Sequence, residues 1–182
     1  LHLADDSPVG AIELKDGGLL GLHNGHCAFS SDGGKSWGEE IPIKAADGSE
    51  PDGYLRKLLR LKSGAIGAIW SPYMSGSERE AQYALDSVFI KSTDEGETWS
   101  HPIRVSEPYN NACVFDATVT GTGRIIGAAY VLVGKTIREK GRAMFGDEMA
   151  IIGHHGYEHF FTYCWVYYSD DEGETWNTNE CK

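Results

Sequence analysis

The chain has 182 residues, 16 Lys plus Arg against 27 Asp plus Glu, 23 Gly, and a formal net charge of −11. That length suits one domain with its own core, and 41% apolar residues against 24% charged lie outside the disordered range. The acidic balance argues against nucleic acid or an anionic membrane as partner, since both need a basic face, and no apolar run approaches the roughly 18 residues that cross a bilayer.

Position 1 is Leu, with no charged and then apolar leader after it, so a processed or partial chain is expected. The first unit predicts a hairpin over residues 9–23 with a Gly-centred turn, a strand at 27–30, and a turn SSDGGKSW at 30–37. The second predicts a hairpin over 54–70, a strand at 87–92 and a turn STDEGETW at 92–99. Its opening YLRKLLRL lacks β-branching and also reads as helix, but its phase within the repeat and the following GAIGAIW favour strand. The third predicts a long hairpin over 112–133, a strand at 162–169 and a turn SDDEGETW at 169–176.

The three turns share S-x-D-x-G-x-[ST]-W, with Asp32, Asp94 and Asp171 spaced by 62 and 77 residues. Asp accepts backbone N–H groups one and two residues on, and Gly34, Gly96 and Gly173 supply positive φ. Trp37, Trp99 and Trp176 are large enough to anchor each turn on a neighbouring layer. Each unit thus reads strand A, Gly turn, strand B, loop, strand C, Asp turn, strand D. The expected fold is all-β: a β-propeller of three four-stranded antiparallel blades at about 9–44, 54–105 and 112–182, the last truncated in its final strand.

These turns resemble the Asp boxes, or bacterial neuraminidase repeats, of the sialidase superfamily. The resemblance implies a six-bladed propeller of which this chain is half, closed either by more of the same polypeptide or by a second copy. It also implies a chemistry: three Arg holding the substrate carboxylate, an Asp acid/base, and a Tyr nucleophile activated by a Glu. A guanidinium grips a carboxylate bidentately, and a neutral phenol approaches an anionic sugar with less repulsion than a carboxylate.

The boxes themselves are turn devices that serve as a compass. A–B and C–D turns lie at one end of a blade, and the D–A and B–C loops lie at the other, where a ligand site is expected. The family's first Arg sits in an R-I-P segment on an innermost strand, and this sequence has none. The equivalent place in the second unit is near Tyr54, with Arg56 two residues later and on the same face by strand alternation. The second B–C loop, 71–86, offers Arg79, Glu80, Tyr83 and Asp86 as catalytic candidates. Asn110 and Asn111 are candidates for sugar hydroxyls, and Arg124, at an A–B turn, is excluded by the compass.

The third B–C loop is read as one insertion over 134–160. It holds Lys135, Arg138, Lys140 and Arg142 within eight residues, then His154, His155, Tyr157, Glu158 and His159. It reads either as a solvated cover or as a lid in which Arg138, Arg142, His155 and Tyr157 contact substrate. His155 and His159 are four apart, a zinc spacing only on a helix, which Gly153 and Gly156 oppose. No metal or cofactor is therefore expected. Cys164 and Cys181 flank the third box symmetrically and face each other if strands C and D stay paired; a bridge or two thiols are both open.

The expected function is release of a terminal acidic sugar, sialic acid, from a glycan partner, outside the cell or in a periplasm. The alternatives are a polysaccharide lyase, a neutral-sugar hydrolase, or a non-catalytic glycan-binding propeller. Self-pairing makes a direct prediction for light scattering after size exclusion: a dimer near twice 19.9 kDa if two copies close one ring. A monomer or aggregate would leave ring closure to a longer chain.

Overall fold

A computed structural model of the chain describes residues 10–23, 26–48, 54–71, 87–105, 113–135, 142–145, 148–151 and 158–180. The first sheet runs in chain order through β1 (Gly10–Glu13), β2 (Leu19–His23), β3 (His26–Ser30) and β4 (Ile41–Pro42). The second does the same through β5 (Tyr54–Arg60), β6 (Ile66–Ser71), β7 (Val88–Ser92) and β8 (Ile103–Arg104). In the third, β9 (Cys113–Val119), β10 (Ile125–Lys135), β13 (Glu158–Ser169) and β14 (Asn177–Glu180) repeat the pattern, joined by a hairpin of β11 (Arg142–Phe145) and β12 (Glu148–Ile151). The run YLRKLLR is strand, as its phase in the repeat suggested.

The register of strand B on strand C at the box end is the same in all three sheets. Strand B begins opposite the serine that ends strand C: Leu19 with Ser30, Ile66 with Ser92, Ile125 with Ser169. The sheets are therefore copies of one blade. Strand A of each lies against strand A of the next, β1 on β5 and β5 on β9, so the A strands form the inner lining.

The core lies between blades. Leu20, Leu22 and Cys27 of the first meet Leu58, Ala68, Trp70, Ile90 and Trp99 of the second in one cluster. Because the middle blade has a neighbour on each side, its strand B is buried on both faces: Ile66, Ala68 and Ile69 are all 0% exposed. Ile66 and Ile69 each contribute about 1.5–3 kcal/mol by that burial. Between the second and third blades, Phe89 meets the edge of Trp176 at 5.5 Å and 62°.

The second and third box turns also fit against the blade before them. Gly96 and Gly173 have φ of 97° and 89°. A Cβ on Gly96 would stand 2.8 Å from Leu20 Cδ2, and one on Gly173 would overlap the Phe89 ring. The residues before them, Glu95 and Glu172, are non-glycine at φ of 60° and 57°, a conformation that costs about 1–2 kcal/mol. Their carboxylates reach back one blade. Glu95 accepts the Lys15 N–H at 3.0 Å, and Glu172 accepts the Ser63 N–H at 2.6 Å. Lys91 of the second blade likewise pairs with Glu174 of the third.

The insertion expected as one loop over 134–160 is corrected. Strands β10 and β13 continue into it, to Lys135 and from Glu158, and the β11–β12 hairpin occupies its middle. Phe145 pairs with Glu148, and the sequence between them is Gly146-Asp147, a two-residue hairpin signal. His159 lies on β13, so the helix that zinc spacing requires is absent there.

Box glycines are thus distinguishable by experiment. Gly173→Ala is expected to destabilise the full-length protein by about 2–4 kcal/mol, from overpacking on Phe89 and a strained φ. Gly33→Ala meets nothing within 4 Å at φ 75° and should cost only the φ strain, about 1–2 kcal/mol. Urea midpoints measure the difference; equal effects would contradict the close packing.

Candidate functional site at the end opposite the Asp boxes

The two ends of the blades differ in chemistry. At one end the three boxes fold identically. In the first, the Asp32 carboxylate accepts the Ser36 N–H at 3.0 Å and the Ser36 hydroxyl at 2.6 Å. Ser30 Oγ donates to Asp32 at 2.8 Å and accepts the Gly34 N–H at 2.9 Å. Asp94 holds Thr98 in the same way, with Ser92 on Gly96, and Asp171 holds Thr175, with Ser169 on Gly173. The Asp thus accepts chiefly from the residue four positions on, and not one and two on as the sequence suggested, because consecutive positive-φ residues curl the chain back over it.

These bonds draw the carboxylates down. The Ser36 hydroxyl leads in holding Asp32 at about 2, and the Thr98 hydroxyl leads in lowering Asp94. Burial works against Asp171, yet Thr175 and Ser169 outweigh it. Bonds to Arg60, at 2.8 and 3.0 Å, hold Glu95 at about 2, with burial opposing and Lys15 assisting. Arg124 forks onto Asp170 at 2.6 and 2.7 Å and lies 4.5 Å from the Tyr168 ring centre. Arg124, at an A–B turn, therefore stands with a C–D turn, as the compass required. The box aspartates Asp32, Asp94 and Asp171 are thus engaged by their own turns, while Glu95, Glu172 and Glu174 hold groups of the preceding blade.

The other end is built differently. The ladder of β5 on β6 skips a residue between Leu55 and Lys57, a bulge at Arg56. The ladder of β9 on β10 skips one between Val114 and Asp116, a bulge at Phe115. Counted from the A–B turns, these are the same position in successive blades. Alternation through Tyr54 and Arg56 accordingly does not run as in a regular strand. Next to both bulges, Lys57 Nζ bonds Asp116 Oδ1 at 2.8 Å across the inner lining, and this bond lowers the Asp116 carboxyl.

Beyond Tyr130, where β9 stops pairing, β12 takes the same edge of β10 through Val133 and Ala150. The strand order is β11-β12-β10. The hairpin therefore stands on the inner-strand side of the third blade, at the end away from the boxes, with Arg142 opening β11. Of the sequence candidates, Tyr54 and Arg56 lie on β5 and Arg142 on β11. Arg79, Glu80, Tyr83, Asp86, Asn110, Asn111, Arg138, His155 and Tyr157 lie outside the described residues. Sequence reasoning missed Lys57 and Asp116, 59 residues apart, although their equal distance from the two A–B turns was available.

Cys164 lies on β13, and Cys181, its candidate partner, lies outside the described residues. Among the described residues, no three His, Cys, Asp or Glu come together to hold a metal.

Residues 167–178 match the family model described as BNR/Asp-box repeat. Among solved structures, the chain is similar to a Hadza microbial sialidase, Hz136, at 18% identity over 95% of this chain and 37% of that one, with a TM-score of 0.57. It is also similar to a protein of unknown function from Dyadobacter fermentans, at 20% identity over 93% of this chain and 49% of that one, with a TM-score of 0.52. No curated protein matches. The chain spans less than half the length of either structure, and at these identities the likeness is one of fold. The chain carries the Asp-box repeat on a sialidase-like, all-β propeller fold.

The Glu95 node predicts acid sensitivity. Its folded value of about 2 lies below the ordinary 4.5, so the unfolded chain takes up the proton first as pH falls. Its contribution is complete above about 4.5 and lost on the way down to about 2. The stability gap between wild type and Glu95→Gln, from urea midpoints, should narrow across that window. A gap constant with pH would contradict the assignment.

Proposed function

We propose that this sialidase-like Asp-box propeller is part of a glycoside hydrolase that releases a terminal acidic sugar, sialic acid, with Arg side chains recognising the sugar carboxylate. One observation carries the reading. The end opposite the boxes combines a bulge at Arg56 on the inner lining with a hairpin on the inner side that opens with Arg142. Bulges re-aim side chains beside active sites, and guanidinium forks are the groups suited to a carboxylate.

In this reading Arg56 binds the carboxylate, assisted by Arg138 and Arg142, with His155 and Tyr157 along the sugar. Residues 71–86 supply Tyr83 as nucleophile, Glu80 to activate it, Asp86 as acid/base and Arg79 as a further guanidinium. Tyr54 packs on the sugar, and Asn110 and Asn111 bond its hydroxyls. The remaining lining comes from further blades of a longer chain or from a second copy. The setting is extracellular or periplasmic, where such glycans are met.

The full-length protein should release the fluorophore from a fluorogenic sialoside and be inhibited by the dehydrated sialic acid analogue. Arg56→Ala should lower kcat/KM by about 100-fold, mostly through KM, as expected for a lost charge-assisted fork. Unsaturated uronate absorbance without sialoside cleavage would replace the reading with a lyase. Signal on a glycan array without any turnover would replace it with a binding propeller.

A further inference from the structure

The inner lining carries a contact that the chemistry above does not use. Lys57 and Asp116 occupy the same register position in successive A strands. Lys57 is three residues before Arg60, which pairs with Ile66, and Asp116 is three before Val119, which pairs with Ile125. Each follows a bulged residue, Arg56 or Phe115. The first blade has Gly10 at this position, three before Glu13 and paired with Leu22, so among the described blades this link joins only the second and third.

The side chains of Lys57 and Asp116 are 42% and 70% exposed. A pair this exposed adds little to stability, on the order of 0–1 kcal/mol. What it can fix is geometry. Strands β5 and β9 belong to different sheets and share no ladder between them, so the offset of one bulge against the other depends on side-chain contacts. A bond of 2.8 Å next to both bulges sets that offset where it matters for a ligand held between them.

We propose that Lys57 and Asp116 are positioning residues. Their ion pair ties the inner strands of the second and third blades directly beside the bulges at Arg56 and Phe115, and so sets the spacing of the groups that grip the acidic sugar. The inference rests on the acidic-sugar reading for its ligand, but its mechanical part is measurable without one.

The test uses the full-length protein as wild type, Lys57→Asp, Asp116→Lys and the double exchange that restores opposite charges. Backbone hydrogen exchange over 54–57 and 113–116 should quicken in each single variant and return in the double. With the fluorogenic sialoside, each single should raise KM about tenfold, with kcat within about twofold, and the double should recover most of the loss. A merely destabilised protein would instead lose kcat through a smaller active fraction, with KM unchanged.

Unchanged exchange in both single variants overturns the proposal, whatever the substrate. Altered exchange with unaltered KM, or a double variant that stays as weak as the singles, also overturns it; the latter would mean that Lys57 itself touches the sugar. If exchange follows the charge pairing while wild type cleaves no sialoside, the positioning role stands and the acidic-sugar reading fails.

Discussion

The structure depends on one small hydrogen-bonded loop, made three times. A serine hydroxyl at the end of strand C donates a hydrogen bond to an aspartate and accepts one from the N–H of the box glycine. The aspartate takes both the N–H and the hydroxyl of the residue four positions on. The serines are buried, at 4%, 1% and 0% exposure, and burial of a hydroxyl is tolerable only because its bonds are satisfied. The loop holds the positive-φ pair in place, and in the second and third boxes that pair brings a bare glycine against the apolar side chains of the blade before. Without the loop there is no close approach between blades, and without the approach each four-stranded sheet would be left with uncovered faces.

This arrangement divides labour between the two ends. At the box end, carboxylates and cations neutralise one another between neighbouring turns and strand ends, as Glu95 does with Arg60 and Lys15, and Asp170 with Arg124. Groups so engaged are costly to redirect to a ligand, because each would leave a partner unsatisfied. At the opposite end the regular ladders are interrupted by bulges and lengthened by the β11–β12 hairpin. Rigid turns at one end permit irregular backbone at the other, which is where a propeller carries its specificity.

Much of this was legible in the sequence, for a physical reason. Turn chemistry is local, so S-x-D-x-G-x-[ST]-W announces its loop within eight residues, and the strands on either side follow from its position. The face of the boxes was legible too, since up-and-down order dictates which turns share an end. The hairpin was not. Its strands, RAMF and EMAI, are only four residues each, hold a single β-branched residue, Ile151, and lie in a highly charged stretch, so propensity favoured a loop. Glu95 and Glu172 were also hidden, because glutamate at positive φ runs against local preference and is held there by contacts with another blade. The bulges leave no mark in composition. They emerge only when the pairing of two strands is known.

The back-reaching carboxylates have a direction in the chain. Lys15 is captured by Glu95, 80 residues later, and Ser63 by Glu172, 109 residues later. In both cases the amide that is held lies nearer the N-terminus than the carboxylate that holds it. On a ribosome the blade to be sealed is complete before its latch has been synthesised, and every latch arrives together with the blade it belongs to. Synthesis and assembly thus advance in the same sense, each new blade fastening the one that emerged before it.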